Sequence, residues 1–122
     1  AKMVYTDKKG KSYNWPIIGD VSNYNETLKY STFIGGDNPF TEIVNPDITD
    51  NSSIVVVKES FGNAFVPFLV ENYSKIYVID YRYYEGSISK FVVDNNIQDV
   101  LYLNNISATR NKWLVSRLEN TI

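Results

Sequence analysis

Hydrophobic and polar positions alternate in two different styles along this chain, with the change near residue 52. From Ser53 onward, β-branched runs alternate with helical spacings. Ile54-Val55-Val56-Val57 is an unbroken β-branched run with polar residues on either side, as in a parallel strand covered on both faces, and it is expected to be the central strand. Phe61, Ala64, Phe65, Phe68 and Leu69 then recur at i, i+3, i+4, i+7 and i+8, which predicts a helix burying that stripe, with Ser60 placed to cap it. Pro67 lacks a backbone donor inside this pattern, so a kink there, or a helix beginning one turn before it, is expected. Lys75 to Ile79 predicts a second strand, Ser87 to Asn95 a second helix and Asp99 to Leu103 a third strand. Ala108 to Asn120 predicts a last helix packing through Trp113, Leu114, Leu118 and Arg117. With right-handed crossovers, this βαβαβ order sets the C-terminal ends of three parallel strands along one edge.

The first part of the chain is rich in Tyr, Asn, Thr and Gly. Met3 to Thr6 and Ser12 to Trp15 read as two strands around the turn Asp7-Lys8-Lys9-Gly10-Lys11,. Asn25 to Thr27 starts a short helix or extends a loop, and Lys29 to Ile34 reads as a strand ending at Gly35-Gly36,. Asp37-Asn38-Pro39 and Asn45-Pro46-Asp47 carry turn chemistry,. The 122 residues suit one domain, with a β-rich and loop part over 1–52 and a βαβαβα part over 53–122. The expected class is α/β, a short parallel sheet between helices with a small N-terminal β-rich segment.

Composition narrows the chemistry. There is no His and no Cys, which removes thiol nucleophiles, disulfides, imidazole or thiolate metal sites and a complete Ser-His-Asp triad from this chain alone. No metal and no cofactor is expected. Twelve basic and fourteen acidic side chains give a net charge of −2, and no basic stripe is suited to a run of phosphates, so nucleic acid is not an expected partner. The apolar run Ile54 to Val57 is too short to span a bilayer, and Ala1-Lys2-Met3-Val4 lacks the apolar region of a signal peptide,. The chain reads as a soluble, already trimmed piece.

Ligands of open parallel sheets bind beyond the carboxyl ends of the strands, which directs attention to Lys58-Glu59-Ser60-Phe61-Gly62-Asn63, Asp80-Tyr81-Arg82-Tyr83-Tyr84 and Asn104-Asn105-Ile106-Ser107. A Ser on a tight strand-to-helix turn projects its oxygen over the sheet edge, beside amides suited to an oxyanion. Ser60 is therefore either a nucleophile or a helix cap. Arg82 is either a substrate contact or the partner of Asp80 or Glu85. Asn104 and Asn105 serve either a ligand or their own loop, Asp37 serves a ligand or closes a turn, and Glu59 is solvated or paired. Tyr81 to Tyr84 pack or form a shelf for carbohydrate. A phosphate or flavin site at Ser60 to Asn63 follows from fold analogy alone.

Four stretches carry a more specific resemblance: Phe33 to Pro39, Val57 to Phe68, Tyr77 to Tyr84 and Asp99 to Asn105. Over roughly residues 28 to 110, in order, they resemble the C-terminal half of the bacterial DHHW family. That family is itself similar to SGNH hydrolases and alginate O-acetyltransferase-like proteins. The resemblance implies a flavodoxin-like, SGNH-type three-layer fold with Ser60 at the nucleophile position, in a block that more often reads Asp-Ser than Glu-Ser. It also implies that the Asp and His activating the serine lie upstream, in a motif this chain does not contain. The piece by itself is then expected to be nearly inert, because general-base help is worth about 10² to 10⁴ in rate.

Two functions compete at this level. One is the C-terminal part of a serine esterase or O-acetyltransferase acting on acylated carbohydrate. Ser60 is its nucleophile; the Ser60 and Gly62 amides, with the Asn63 or Asn104 carboxamide, are its oxyanion donors; Asp37 and Arg82 are its candidate substrate contacts; Asn105 is a further oxyanion or substrate-binding candidate; and the base comes from the remaining N-terminal part of the parent protein. The other is a non-catalytic module binding a cell-surface glycan or a protein partner. Similar proteins are exported or membrane-anchored, so an extracellular or cell-surface location, with the anchor upstream of this segment, is the accompanying expectation.

Overall fold

The computed structural model describes residues 1–122 and contains the strands β1 (Lys2–Thr6), β2 (Ser12–Trp15), β3 (Phe40–Val44), β4 (Ser53–Lys58), β5 (Lys75–Asp80) and β6 (Asp99–Leu103). Two α-helices, α1 (Ile88–Asp94) and α2 (Lys112–Thr121), accompany 3₁₀ segments at Glu26–Thr32, Ser60–Ala64, Val66–Leu69 and Ile106–Arg110. All six strands join one mixed sheet in the order β2-β1-β3-β5-β4-β6. β4 runs parallel to both β5 and β6, whereas β1 is antiparallel to β2 and β3, and β3 is antiparallel to β5. The N-terminal part is therefore no appendage to a short parallel sheet. Its strands extend that sheet through β3. β4 is central only to the parallel trio; β3 and β5 occupy the middle of the whole.

β3 falls between the turns expected at Asp37-Asn38-Pro39 and Asn45-Pro46-Asp47, in a stretch for which no element was expected. Its alternation is nevertheless regular, with Thr41 and Ile43 buried between less buried neighbours. Lys29 to Ile34, by contrast, forms no strand: Glu26–Thr32 is a 3₁₀ helix with no buried residue, and Phe33 makes a single bridge to Ile18. Its aromatic and β-branched residues have no neighbouring strand to pack on, and strand preference is largely a preference for such packing.

The sheet is covered on both faces around β4, and every residue of that strand is buried. One face carries Ile43, Ile54, Val56, Ile76 and Val78 against Ile34, Val66 and Val70. The other carries Val55, Val57, Tyr77 and Ile79 against Ile88, Phe91, Val92, Leu114 and Leu118 of the two helices. Each such aliphatic side chain contributes about 1.5–3 kcal/mol relative to exposure.

The segment after β4 departs most from its expected form. Instead of one α-helix it makes two successive 3₁₀ turns, bonded Phe65 N–H to Gly62 O (3.1 Å) and Phe68 N–H to Phe65 O (3.1 Å). Pro67 stands in the first turn of the second one, where no intrahelical donor is required,. The buried side chains are Asn63, Val66 and Val70, and the predicted stripe faces outward, with Phe61 63%, Phe65 41% and Phe68 76% exposed. At the C-terminus the expected helix is split: Asn111 leaves helical geometry after Ile106–Arg110, and its side chain accepts from the Trp113 and Leu114 amides to start α2. Trp113 is exposed rather than packed. Ser87 caps α1 by accepting from the Lys90 amide,.

Candidate functional site

Register across the parallel strands pairs Lys58 with Asp80 of β5 and with Leu103 of β6. The segments that follow them, Glu59-Ser60, Tyr81-Arg82 and Asn104-Asn105, therefore emerge along one rim of the sheet, as the βαβαβ order requires. Asp37 reaches the same rim from the turn before β3. That turn takes three consecutive positive φ values, at Ile34 (48°), Gly35 (70°) and Gly36 (86°). For the buried, β-branched Ile34 this is a strained conformation, held by burial at 1% exposure and by its amide bond to Ile17 O.

Two hydrogen-bonded groups occupy the rim. The first is ionic. Lys58, 1% exposed, holds Asp80 Oδ2 at 3.1 Å and Asp37 Oδ1 at 3.5 Å. Arg82 grips Asp80 with two bonds, Nε to Oδ1 at 2.9 Å and Nη2 to Oδ2 at 2.6 Å, and its Nη2 also lies 3.2 Å from Asp37 Oδ1. Asn63 donates to Asp37 Oδ1 at 2.8 Å. Burial acts to raise the Asp37 pKa, but Lys58, the Asn63 bond and Arg82 outweigh it and hold this carboxyl below its ordinary value,. Burial likewise opposes the charge on Arg82, yet its bonds to Asp80 and the field of Asp37 raise its pKa further. Asp80 is wholly buried, so these cations are its compensation.

The second group contains the serine. The partly exposed Ser60 donates its hydroxyl proton to Glu59 Oε2 at 3.3 Å, while Glu59 Oε1 accepts the Asn105 amide at 2.9 Å. Tyr81 donates its hydroxyl to Asn104 Oδ1 at 2.8 Å. Burial, followed by the charges of Glu59 and Asp80, raises the Tyr81 pKa and keeps the phenol a donor. Glu59 thus ties the loop after β4 to the loop after β6, and Tyr81 ties the loop after β5 to that same loop. Ser60 is not a cap: the cap position of its 3₁₀ turn is Glu59, and no side chain bonds there.

The rim brings Ser60, Gly62, Asn63, Asp37, Arg82, Asn104 and Asn105 together, but several of their polar groups are already engaged. The Gly62 amide donates to Glu59 O at 3.0 Å, and the Asn105 carboxamide accepts from the Ser107 amide and hydroxyl to cap its own 3₁₀ turn. Arg82 pairs with Asp80, as one of its two readings held, and with Asp37 rather than Glu85. Glu85 instead lies 3.8 Å from Arg117, which also bonds the carbonyls of Arg82 and Tyr84. Tyr81 is buried and Tyr84 stacks on Phe40, so these tyrosines pack rather than form a shelf. Asn63 Oδ1 is a buried acceptor without a partner. A groove of about 450 Å³, lined by Phe61, Ala64, Phe65, Phe68, Leu103, Asn104 and Asn105, runs beside the rim. No group of three or more carboxylates is close enough to hold a metal ion.

Sequence reasoning gave Lys58 no role, entered Asp80 only as an ion-pair partner for Arg82 and left Glu59 undecided. A signal was present, since a charged residue closes each of two parallel β-branched strands, Ser53–Lys58 and Lys75–Asp80. Gly62 is required for a different reason from the one expected. A Cβ there would stand 2.5 Å from Cβ and 3.0 Å from Cγ of Lys58, so the bare backbone makes room for the buried lysine stem.

A family model described as DHHW protein matches residues 1–79. The chain belongs to the DHHW family. A crystal structure of a DHHW family protein from Eubacterium siraeum superposes with a TM-score of 0.83 at 27% identity, covering 99% of this chain and 40% of that one. PatB1 of Bacillus cereus superposes with a TM-score of 0.76 at 26% identity, covering 93% of this chain and 38% of PatB1. A PatB1 structure with a sulfonyl adduct aligns at 23% identity with a TM-score of 0.71 and adds the likeness of fold alone. No curated protein matches the sequence. The chain spans about two fifths of the length of these DHHW and PatB1 structures. No helix is long and apolar enough to cross a membrane.

Proposed function

We propose that this chain is the serine-bearing part of an SGNH-like esterase or O-acetyltransferase acting on acylated carbohydrate, built on a flavodoxin-like core. The observation that carries the reading is the position of Ser60. Its hydroxyl sits on the first turn after the fully buried β4, at the carboxyl rim of a parallel sheet, in a chain of the DHHW family.

In this reading the Ser60 oxygen attacks an ester carbonyl. The acyl carbon–alkoxy bond breaks, and the serine proton passes to a base and then to the leaving alcohol. The base is a His oriented by an Asp, both from a part of the parent protein outside these residues, since this chain has no His. In the structure the single Ser60 hydroxyl proton points to Glu59 Oε2 at 3.3 Å, so in this reading the hydroxyl turns from Glu59 to the His before that proton is transferred. The Gly62 amide is engaged with Glu59 O, which leaves the Ser60 amide and the Asn104 carboxamide nitrogen as the donors for the oxyanion. Asp37 and Arg82 brace the rim and offer their remaining polar edges to sugar hydroxyls. A cell-surface glycan as substrate places the parent protein outside the cell, anchored through a segment beyond this one.

A second reading, a glycan- or protein-binding module that keeps the same core, draws on the absence of His and on Glu59 as the hydroxyl's sole partner. A fluorophosphonate probe separates the two. The whole translated polypeptide should label stoichiometrically, and Ser60→Ala should abolish the label. Labelling that survives Ser60→Ala rejects Ser60 as nucleophile, and no labelling of the wild type favours the binding module.

A further inference from the structure

We propose that the pocket bounded by Tyr5, Trp15, Asp20, Tyr24, Ser31 and Gly35 is a subsite for one neutral pyranose ring of a glycan, held beside the rim that carries Ser60. The inference rests on the reading of the substrate as a carbohydrate and deepens it, by assigning the place where a sugar residue other than the acylated one is gripped.

Three observations carry it. The first is the lining. The pocket holds about 200 Å³, less than the roughly 300–1,000 Å³ of sites for drug-sized ligands, which suits a single ring. Three aromatic side chains border it, and two of them, Trp15 and Tyr24, are each 41% exposed and belong to neither core cluster. Such rings offer an apolar face and a polar tip, the complement of a pyranose with C–H groups on its faces and hydroxyls at its edge. The aromatic shelf that Tyr81 to Tyr84 do not form lies here. The second observation is the polar inventory. Asp20 Oδ1 accepts the Ser22 amide at 2.9 Å, and the bonds from Ser22 hold this carboxyl below its ordinary value, so it is an ionised acceptor at neutral pH. No lysine or arginine pairs with it. The Trp15 indole N–H, which lies beside Gly19, and the Tyr24 hydroxyl are open donors bonded to nothing in the chain. An unpaired carboxylate with donors around it grips sugar hydroxyls and repels acidic sugars. The third observation is that the pocket is braced and joined to the serine. Gly19 N–H donates to Thr32 O at 2.8 Å, the Thr32 hydroxyl donates to Gly19 O at 2.6 Å, and Ile34 N–H donates to Ile17 O at 2.8 Å. A Cβ on Gly35 would stand 3.2 Å from Tyr5 Cε1 and 3.3 Å from Trp15 Cδ1, so the bare glycine leaves both rings open. Gly35 is two residues from Asp37 of the rim. Tyr30, adjacent to Ser31, donates its hydroxyl to Phe61 O at 3.2 Å and accepts the Ala64 amide at 3.4 Å, which ties this wall to the turn Ser60–Ala64.

Isothermal titration of the whole translated polypeptide with cellotetraose and with N-acetylchitotetraose is the test. At least one should bind with a Kd at or below about 1 mM. Trp15→Ala and Tyr24→Ala should each weaken that binding by about 10-fold or more, and Asp20→Asn, which keeps the bond from Ser22 but loses the charge, by about 3-fold or more. Tyr24 is an exposed loop residue, so Tyr24→Ala decides the matter if Trp15→Ala loses its cooperative thermal transition. Failure of both sugars to bind overturns the proposal, and so does binding that survives both aromatic substitutions. Fluorophosphonate labelling of the same samples keeps the two readings apart. Trp15-dependent binding without Ser60 labelling sinks the esterase while the subsite stands, and Ser60 labelling without sugar binding does the reverse.

Discussion

Lys58 and Asp80 lie opposite each other in register at the last positions of two parallel strands, and both are essentially excluded from water. A buried carboxylate is tolerable only when paired, and here Lys58 and the two-bond grip of Arg82 provide the pairing,. Asp37 is the more exposed member and therefore the one whose titration is felt within reach of experiment. An unfolded Asp titrates near about 3.9, and in the fold Asp37 titrates lower because Lys58, Asn63 and Arg82 outweigh its desolvation. Its contribution to stability is then complete above the unfolded value and disappears as pH falls through the lower, folded one. Asp37→Asn should unfold at a lower temperature than wild type at pH 6, with the difference shrinking toward pH 2. A difference that stays constant across this range in thermal unfolding would contradict the ionic role. The residue types at this rim were legible in the sequence because they follow strand ends. Their partners were not: Asn63 meets Asp37 across 26 positions and Asn105 meets Glu59 across 46.

Elements repeat the pattern. β-branched runs became β4 and β5 because such residues suit a pleated surface with packing on both sides. The stripe from Phe61 to Leu69 was misleading for a physical reason: a spacing of three shares a face in a 3₁₀ turn as well as in an α-helix, whereas a spacing of four shares one only in the α-helix, so the two place different side chains inward. With i→i+3 bonding, Asn63 and Val66 turn inward and the phenylalanines turn out. The turn Ser60–Ala64 lies so close to β4 that Gly62 touches the Lys58 stem. Gly62→Ala should lower stability by about 1–3 kcal/mol, as overpacking does, and should slow fluorophosphonate labelling in the whole polypeptide by lifting Ser60 from its place. An unchanged urea midpoint together with an unchanged labelling rate would show that this contact is slack.

For the molecule as a whole, the consequence of one continuous sheet is mutual dependence. β5 owes one neighbour to β4 and the other to β3, and Ile76 and Val78 share a core with Met3, Ile34 and Ile43 from the first part of the chain. Deleting residues 1–52 exposes the β5 edge and that half of the core. The remaining piece should give a poorly dispersed amide spectrum and no cooperative thermal transition. A well-dispersed spectrum with a sharp transition would show that the βαβαβα part stands alone.

Local pattern alone determined that three strands of the second part would be parallel, that their loops would share a rim and that Ser60 would stand on it, because strand preference, turn chemistry and crossover handedness act over a few residues or one connection. Only the tertiary structure decided that the first part would extend the same sheet, that Lys58 would be buried between two carboxylates, and that Phe61, Phe65 and Phe68 would face outward. Those outcomes depend on which distant segment arrives to satisfy a charge or cover an apolar face, and a short window of sequence contains only one side of such a contact.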